Sequence, residues 1–165
     1  MKLQNKVAIV TGGSRGIGAA IACEFASQGA KVVVNYLNSQ EKADAVVANI
    51  IEQGGLALAV QADVSQLSGI DHLVNQACEA FGVVDILVNN AGWATLERLQ
   101  DITFDDTKKQ FELNVFGPIF LTQKISAIMP SGSVIINISS IAAKGGAGGS
   151  IYCATKAAIN TLTKC

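Results

Sequence analysis

The sequence predicts an α/β fold: a doubly wound parallel sheet with helices on both faces, built as a single domain over residues 1–165. Two observations indicate this class. Short aliphatic and β-branched runs alternate with segments of helix length, which is the order of repeated strand–helix–strand units. The runs are continuously apolar, as expected of parallel strands that are buried on both faces.

Small or polar residues follow each predicted strand. The five strands are predicted at 7–10, 31–35, 56–60, 85–90 and 133–138. The residues at their ends are TGGSRGIG (11–18), Asn35 and Tyr36, ADV (62–64), NNAG (89–92) and NISS (137–140). Open α/β sheets bind ligands beyond the carboxyl ends of their strands, so these residues predict a binding site at one edge of the sheet.

The first two helices are predicted from apolar spacing and from capping residues. The first runs over 17–28, with Gly29 as its stop. Its sheet-facing stripe would consist of Ile17, Ala20, Ile21 and Phe25. Asn38 with Glu41 would cap the second helix, which ends at Gly54–Gly55.

The next two helices begin with capping-box signals, in which an acid follows a serine or threonine by three residues. The pairs are Ser68 with Asp71 and Thr103 with Asp106. Gly82 follows the third helix, and the fourth is expected to run on to Met129–Pro130. The last helix should begin near Ile151.

Composition excludes several classes of protein. The formal net charge is −1 and there is no basic stripe, so no nucleic-acid partner is expected. No apolar run reaches the roughly 18 residues that a membrane span needs, so no membrane partner is expected either. Four cysteines lie far apart without a CxxC pair, which indicates reduced thiols in a cytoplasmic protein and no metal site.

The turn after the first strand is suited to a pyrophosphate. Gly12, Gly16 and Gly18 allow a tight turn and close backbone approach, and free N–H groups at the next helix N-terminus attract anions. The spacing is not GxGxxG, and no lysine follows to make a Walker loop. A simple packing turn is the alternative.

Five elements in order resemble the short-chain dehydrogenase/reductase family. They are TGxxxGxG at Thr11–Gly18, NNAG at Asn89–Gly92, Asn114, Ser140, and YxxxK at Tyr152–Lys156. The chain resembles the NADP(H)-dependent 3-oxoacyl-carrier-protein reductase-like members. The resemblance implies a Rossmann-like fold and an oxidoreductase that transfers a hydride between NADP(H) and a small-molecule carbonyl or secondary alcohol.

Tyr152 and Lys156 stand four positions apart, so on a helix they share one face. A nearby ammonium favours the ionised form of a phenol, which makes the tyrosine a plausible general acid or base. In similar proteins the lysine also holds the ribose hydroxyls of the nicotinamide nucleotide. An exposed Tyr–Lys pair on an amphipathic helix is the alternative.

The resemblance implies that a serine hydrogen-bonds the reacting oxygen. Ser140 is twelve residues before Tyr152, one fewer than the family pattern, and Ser139 is the second choice. The KGGAGG loop (144–149) could absorb the deletion. Asn114 would help to hold a water in a proton relay; a helix-interior asparagine that faces solvent is the alternative.

The expected cofactor is NADP(H), with NAD(H) possible. NAD sites usually carry an acid at the end of the second strand, where this chain has Asn35. Arg15 could pair with a 2′-phosphate and Ser39 could add a hydrogen bond. In similar proteins the equivalents of Asp63 and Val64 flank the adenine, and those of Asn90 and Gly92 line the route to the nicotinamide ribose. The full predicted cofactor set is Gly12, Ser14, Arg15, Gly16, Ile17, Gly18, Asn35, Ser39, Asp63, Val64, Asn90, Ala91, Gly92, Tyr152 and Lys156.

Members of the family continue well past the YxxxK helix, with further strands and a substrate-covering loop. The domain is therefore expected to be incomplete at its C-terminus, with the fifth strand at an open sheet edge. Two interpretations follow: an enzyme that forms a homodimer or homotetramer when complete, or a truncated, non-catalytic nucleotide-binding or interaction module.

Overall fold

The computed structural model describes residues 1–145 and 149–165. Within these residues the strands form one parallel sheet in the order β3-β2-β1-β4-β5. They are β1 (Val7–Val10), β2 (Lys31–Tyr36), β3 (Leu56–Gln61), β4 (Ile86–Asn89) and β5 (Val134–Asn137). The predicted parallel sheet is confirmed, and each strand end lies within one residue of its predicted place.

Helices connect the strands and cover both faces. The α-helices are α1 (Gly16–Ser27), α2 (Gln40–Glu52), α3 (Leu67–Phe81), α4 (Phe104–Phe111), α5 (Gly117–Ser126) and α6 (Ser150–Leu162). Short 3₁₀ helices lie at Leu99–Asp101 and Ile141–Lys144, and a π-helical turn spans Glu112–Phe116. Every helix in this part of the chain is too short or too polar to span a lipid bilayer.

The central strand β1 shows how the core is divided. All four of its residues are buried, and successive side chains point to opposite faces. Val7 and Ile9 join one apolar cluster, with Leu73 of α3 and Leu121 of α5. Ala8 and Val10 join the other, beneath α1 and α2. The continuous apolar runs of β1, β2 and β4 therefore have the predicted cause, burial on both faces, whereas β3 and β5 at the sheet edges are only partly buried.

The predicted packing stripe of α1 is right at Ile21 and Phe25, which pack against the core, and wrong at Ile17 and Ala20, which are exposed. Its buried residues are Gly18, Ala22 and Ala26, whereas Ile17 is 63% exposed. Small residues let the helix backbone lie close to β1, and the larger side chains then fall at the edges of the contact. Gly29 follows α1 in the left-handed region (φ +94°), as a helix stop requires.

Two of the predicted caps are wrong. Ser39, not Asn38, precedes α2, and Gln66, not Ser68, precedes α3; neither makes a side-chain capping bond. Ser68 lies inside the first turn of α3 instead. The third cap is confirmed, because Thr103 Oγ1 accepts a hydrogen bond from the Asp106 N–H at 3.1 Å.

The predicted long fourth helix is interrupted. α4 and α5 are separated by the π-helical turn, which contains Asn114. Gly117 and Pro118 begin α5, and a Cβ on Gly117 would lie 2.6 Å from the Val64 carbonyl oxygen. The helix is therefore held so close to the exit of β3 that only glycine fits there.

Candidate active site

A cavity of about 590 Å³ runs along the carboxyl edge of the sheet. Loops that leave β1, β2, β3 and β4 line it. Its lining residues are Gly12, Ser14, Arg15, Gly16, Ile17, Asn35, Tyr36, Leu37, Asn38, Ser39, Ala62, Asp63, Val64, Asn90, Ala91, Gly92, Trp93 and Leu113. Among the predicted cofactor residues, Gly18, Tyr152 and Lys156 are not part of this lining.

The glycine turn after β1 is shaped for close approach. Gly12 and Gly16 have positive φ angles of +62° and +56°, which side-chain-bearing residues rarely adopt. Arg15 precedes α1 and makes no side-chain capping bond, so the first N–H groups of the helix have no side-chain acceptor there. Such N–H groups beside a cavity suit an anion.

Thr11 and Asn90 lock this turn to the end of β4. Thr11 Oγ1 accepts hydrogen bonds from the N–H groups of Asn90 and Ala91, both at 3.0 Å. Asn90 Nδ2 donates to the carbonyl oxygens of Thr11 and Gly12 at 2.8 and 3.2 Å. A Cβ on Gly18 would lie 2.5 Å from both Asn90 Nδ2 and the Gly12 oxygen. Gly18 thus supports the cavity from behind.

Asn35 lines the cavity, but its side-chain amide is hydrogen-bonded to backbone groups of the protein. Its Oδ1 accepts from the Gly12 N–H at 3.3 Å, and its Nδ2 donates to the carbonyl oxygens of Val60 and Ala62. A carboxylate in this place would lack the donor that those oxygens need. β2 runs one residue beyond Asn35, so the residues that follow its true end are Leu37, Asn38 and Ser39.

Tyr152 and Lys156 share one face of α6. Lys156 Nζ lies 5.7 Å from the centroid of the Tyr152 ring and donates to the Ile138 carbonyl oxygen at 2.7 Å. Lys156 is 5% exposed, and this burial lowers its pKa. A Cβ on Gly92 would lie 3.6 Å from Lys156 Nζ, so the lysine borders the cavity at Gly92.

Asn114 is buried, so the alternative of a solvent-facing asparagine is excluded. Its Oδ1 accepts from the Trp93 N–H at 2.9 Å, and its Nδ2 donates to the Trp93 carbonyl oxygen at 2.7 Å. The same Nδ2 donates to Thr155 Oγ1 at 3.2 Å. Asn114 therefore joins the loop after β4 to the helix that carries Tyr152.

The two candidate serines have different contacts. Ser139 Oγ donates to the Lys156 carbonyl oxygen at 3.1 Å. Ser140 Oγ accepts from the Ala142 N–H at 3.1 Å, which leaves its own proton to be donated. Residues 146–148 of the KGGAGG loop lie outside the described residues, so the proposed deletion is not located.

Several residues at the site were not in the predicted set of site residues, although Tyr36 and Ala62 were predicted to lie at strand ends. Tyr36, Leu37, Asn38, Ala62 and Leu113 line the cavity, and Gly69, Gly117 and Thr155 support it. The strand that extends to Tyr36 accounts for the first three, since the predicted end was one residue early. Within the described residues no His, Cys, Asp and Glu cluster could hold a metal ion.

Comparison with known proteins agrees with this geometry. The family model described as short chain dehydrogenase matches residues 6–165. An uncharacterized oxidoreductase of Methylorubrum extorquens is 45% identical over 98% of this chain and 66% of that protein. A probable tetrahydroxynaphthalene reductase of Zymoseptoria tritici is 42% identical over 99% of this chain and 62% of that protein. The chain thus spans somewhat less than two thirds of the length of these relatives.

Solved structures show the same relationship. A short chain dehydrogenase from Burkholderia cenocepacia in complex with NADP superposes with a TM-score of 0.96 and 43% identity, over 99% of this chain and 68% of that one. With the family model matching nearly the whole sequence, the chain belongs to the short-chain dehydrogenase family.

Proposed function

We propose that the protein is an NADP(H)-dependent oxidoreductase that interconverts a carbonyl and a secondary alcohol, with Tyr152 as the general acid or base. One observation carries the proposal: a phenol and a buried lysine share a face of α6, and the lysine Nζ borders the strand-end cavity at Gly92. The reductase names of relatives support the same reaction class.

The cavity fits a dinucleotide. Its volume suits a large cofactor, and the glycine turn offers N–H groups to a pyrophosphate. Asp63 is the one acid among the described lining residues, and the residues after β2 that line the cavity, Leu37, Asn38 and Ser39, carry no charge. Arg15, Asn38 and Ser39 could therefore hold a 2′-phosphate without charge repulsion. NADP bound to the Burkholderia relative supports this preference, and NAD(H) is the weaker alternative.

In the reaction, bound NADPH would supply the hydride. Tyr152 donates the phenolic proton to the substrate oxygen, and the Lys156 ammonium stabilises the phenolate that remains. Ser140 donates its free proton to the same oxygen and orients the carbonyl. Asn114 holds the loop after β4 against α6, and a water held near it would return a proton to Tyr152.

The substrate is proposed to be an apolar carbonyl compound. Trp93, Leu96 and Ile141 follow the site residues Gly92 and Ser140 in the chain and expose apolar surface, at 39%, 81% and 90%. Such side chains favour a ring ketone or an acyl chain over a sugar. The tetrahydroxynaphthalene reductase among the relatives supports a ring ketone, and a 3-oxoacyl group is the second choice.

The test is Tyr152→Phe with NADPH and a panel of apolar ketones. The variant keeps the ring but loses the proton, so turnover should fall by at least about a hundredfold while NADPH affinity changes less than about threefold. Turnover that persists in the variant would refute the role of Tyr152. A wild-type chain that binds NADPH and reduces no ketone would favour the alternative, a non-catalytic nucleotide-binding module.

We further propose that residues 1–165 form one dinucleotide-binding domain of a cytoplasmic homodimer or homotetramer. Phe104, Phe116 and Phe120 on the helical layer of α4 and α5 are 80%, 46% and 40% exposed, which supports association through that layer. Sedimentation of the protein at several concentrations would test this.

A further inference from the structure

Gln110 has an amide that the fold uses only in part. It is the one buried residue of α4 and is fully shielded from solvent. Its Nε2 donates to Thr95 Oγ1 at 2.7 Å. Its Oε1 is the single buried side-chain polar atom without a hydrogen-bond partner in the described residues. Rotating the amide by 180° would exchange Nε2 and Oε1. One of the two atoms would then bind Thr95 Oγ1 and the other would still have no partner.

Packing alone does not explain a glutamine at this position. A buried carbonyl without a donor disfavours the folded state. A methionine has similar length and volume and would carry no such atom. The retained amide therefore points to the contact with Thr95 as its purpose.

Thr95 lies beside the start of the helix that carries Tyr152. Gly149 precedes α6, and a Cβ added to it would lie 3.0 Å from Leu96 Cδ2 and 3.5 Å from the Thr95 carbonyl oxygen. The same point is 3.9 Å from Tyr152 Cβ. We name residues 94–97 the rim segment. It lies against Gly149, at the start of the helix that carries the proposed general acid.

Two successive helical turns, one with Gln110 and one with Asn114, bind the loop after β4 at Thr95 and at Trp93. Asn114, one turn beyond Gln110, binds both backbone groups of Trp93. Within the described residues, the Gln110–Thr95 contact is the one hydrogen bond made by the rim segment. Ala91, further upstream, is held separately by Thr11. Loss of Gln110 should therefore release the rim and leave the cofactor side of the loop in place.

We propose that Gln110 is a positioning residue for substrate binding: it holds the rim segment against α6 and so sets the width of the entrance above Tyr152. The inference rests on the proposed function, because the rim matters only if a substrate enters there. It assigns a buried residue, which touches neither substrate nor cofactor, a role in substrate selection.

The test is Gln110→Met, with Thr95→Val as the partner variant and the exposed Gln123→Met as the matched control. KM for the ketone should rise roughly three- to tenfold, the value of one lost hydrogen bond, while kcat stays within about twofold. NADPH affinity and the melting temperature should not fall. Combining Gln110→Met with Thr95→Val should add little to either single variant.

A structural readout separates this proposal from the proposed function. In the wild-type chain, the nuclear Overhauser effect between a Leu96 methyl group and the Gly149 Hα protons should be strong, and Gln110→Met should weaken it. An unchanged effect with unchanged KM would overturn the proposal, and so would a lower melting temperature with KM unaltered. If the wild type reduces no ketone, the proposed function fails, and the methyl signal still decides whether Gln110 holds the rim.

Discussion

Single buried polar side chains join loops that are far apart in the sequence. Four hydrogen bonds join the first and fourth strand ends: Asn90 donates to Thr11 twice and to Gly12 once, and Ala91 donates to Thr11 once. Gly18 lies behind them with no room for a Cβ. Gly18 belongs by its sequence to a phosphate-binding turn, but in the structure it leaves the space that the Asn90 side chain occupies. Asn90 in turn positions the backbone of Thr11 and Gly12 at the cavity wall.

Gly18→Ala tests this arrangement. The added Cβ must displace Asn90 or the Gly12 carbonyl, so the free energy of unfolding should fall by about 1–3 kcal/mol. NADPH affinity should fall by about tenfold or more, because the glycine turn moves when Asn90 or the Gly12 carbonyl is displaced. Gly54→Ala is the control: at φ +81° with no atom within 4 Å, it strains the backbone far from the cavity and should not change NADPH affinity. Urea midpoints and NADPH titrations measure both effects, and equal losses of affinity in the two variants would contradict the argument.

The chemistry of single residues could be predicted where it depends on local spacing. The shared helix face of Tyr152 and Lys156 could be predicted because positions four apart lie on one side of a helix. Gln110 and Thr155 were not found, because their partners lie 15 and 41 residues away and nothing in a linear pattern joins them. The hydrogen bonds from Asn35 Nδ2 to the carbonyl oxygens of Val60 and Ala62 could not be predicted for the same reason.

At the scale of elements, the parallel sheet and the strand ends followed from the sequence, whereas the π-helical turn within the fourth helix did not. The segment from 104 to 126 was predicted as part of one helix, yet a π-helical turn interrupts it at Glu112–Phe116. Gly117 and Pro118 gave a signal for the break. Its cause is tertiary, since the helix must approach the Val64 carbonyl and also direct Asn114 inward.

Asp85 joins the starts of three strands. Its carboxylate accepts from Lys6 Nζ at 2.7 Å and from the Val7 N–H at 2.9 Å, and its carbonyl oxygen accepts from the Val134 N–H. Partial burial alone would raise the pKa of Asp85, but the bonds from Lys6 and Val7 outweigh it and hold the pKa below the usual 3.8. The ionised carboxylate is therefore the form that stabilises this end of the sheet.

Asp85→Asn should lower the free energy of unfolding at pH 7 by about 1 kcal/mol. Because the folded state lowers this pKa, the stabilisation is complete above the unfolded value and is lost as pH falls through the folded value. The difference between wild type and variant should therefore shrink as pH falls from about 5 through the folded pKa of Asp85, which lies below 3.8. Asp71→Asn breaks an exposed pair with Lys124 and is the control, with an expected cost below about 0.5 kcal/mol. Urea unfolding at several pH values measures the difference in unfolding free energy between wild type and Asp85→Asn. A difference that stays constant with pH would contradict the proposed role of the carboxylate.

At the scale of the whole molecule, loops that leave four strands form the cavity. The sheet that contains these strands lies between the two apolar clusters. A ligand in the cavity therefore contacts segments that come together only in the folded chain. Its binding should stabilise the entire fold, by about 2.7 kcal/mol at a hundredfold excess over Kd. Cofactor preference can then be read from global unfolding.

NADPH should raise the melting temperature more than NADH at equal concentration, and Arg15→Met should remove most of that difference. The guanidinium at the cavity wall can make a charge-assisted bond to a 2′-phosphate, worth roughly 1.5–3 kcal/mol, and NADH has no group to receive it. Arg98→Met is the matched control, because that side chain is 81% exposed and pairs with Asp101. If Arg15→Met and Arg98→Met shift the NADPH and NADH curves alike, Arg15 does not read the phosphate. A larger wild-type shift with NADH would mean that the residues after β2 select a 2′-hydroxyl although no carboxylate stands there.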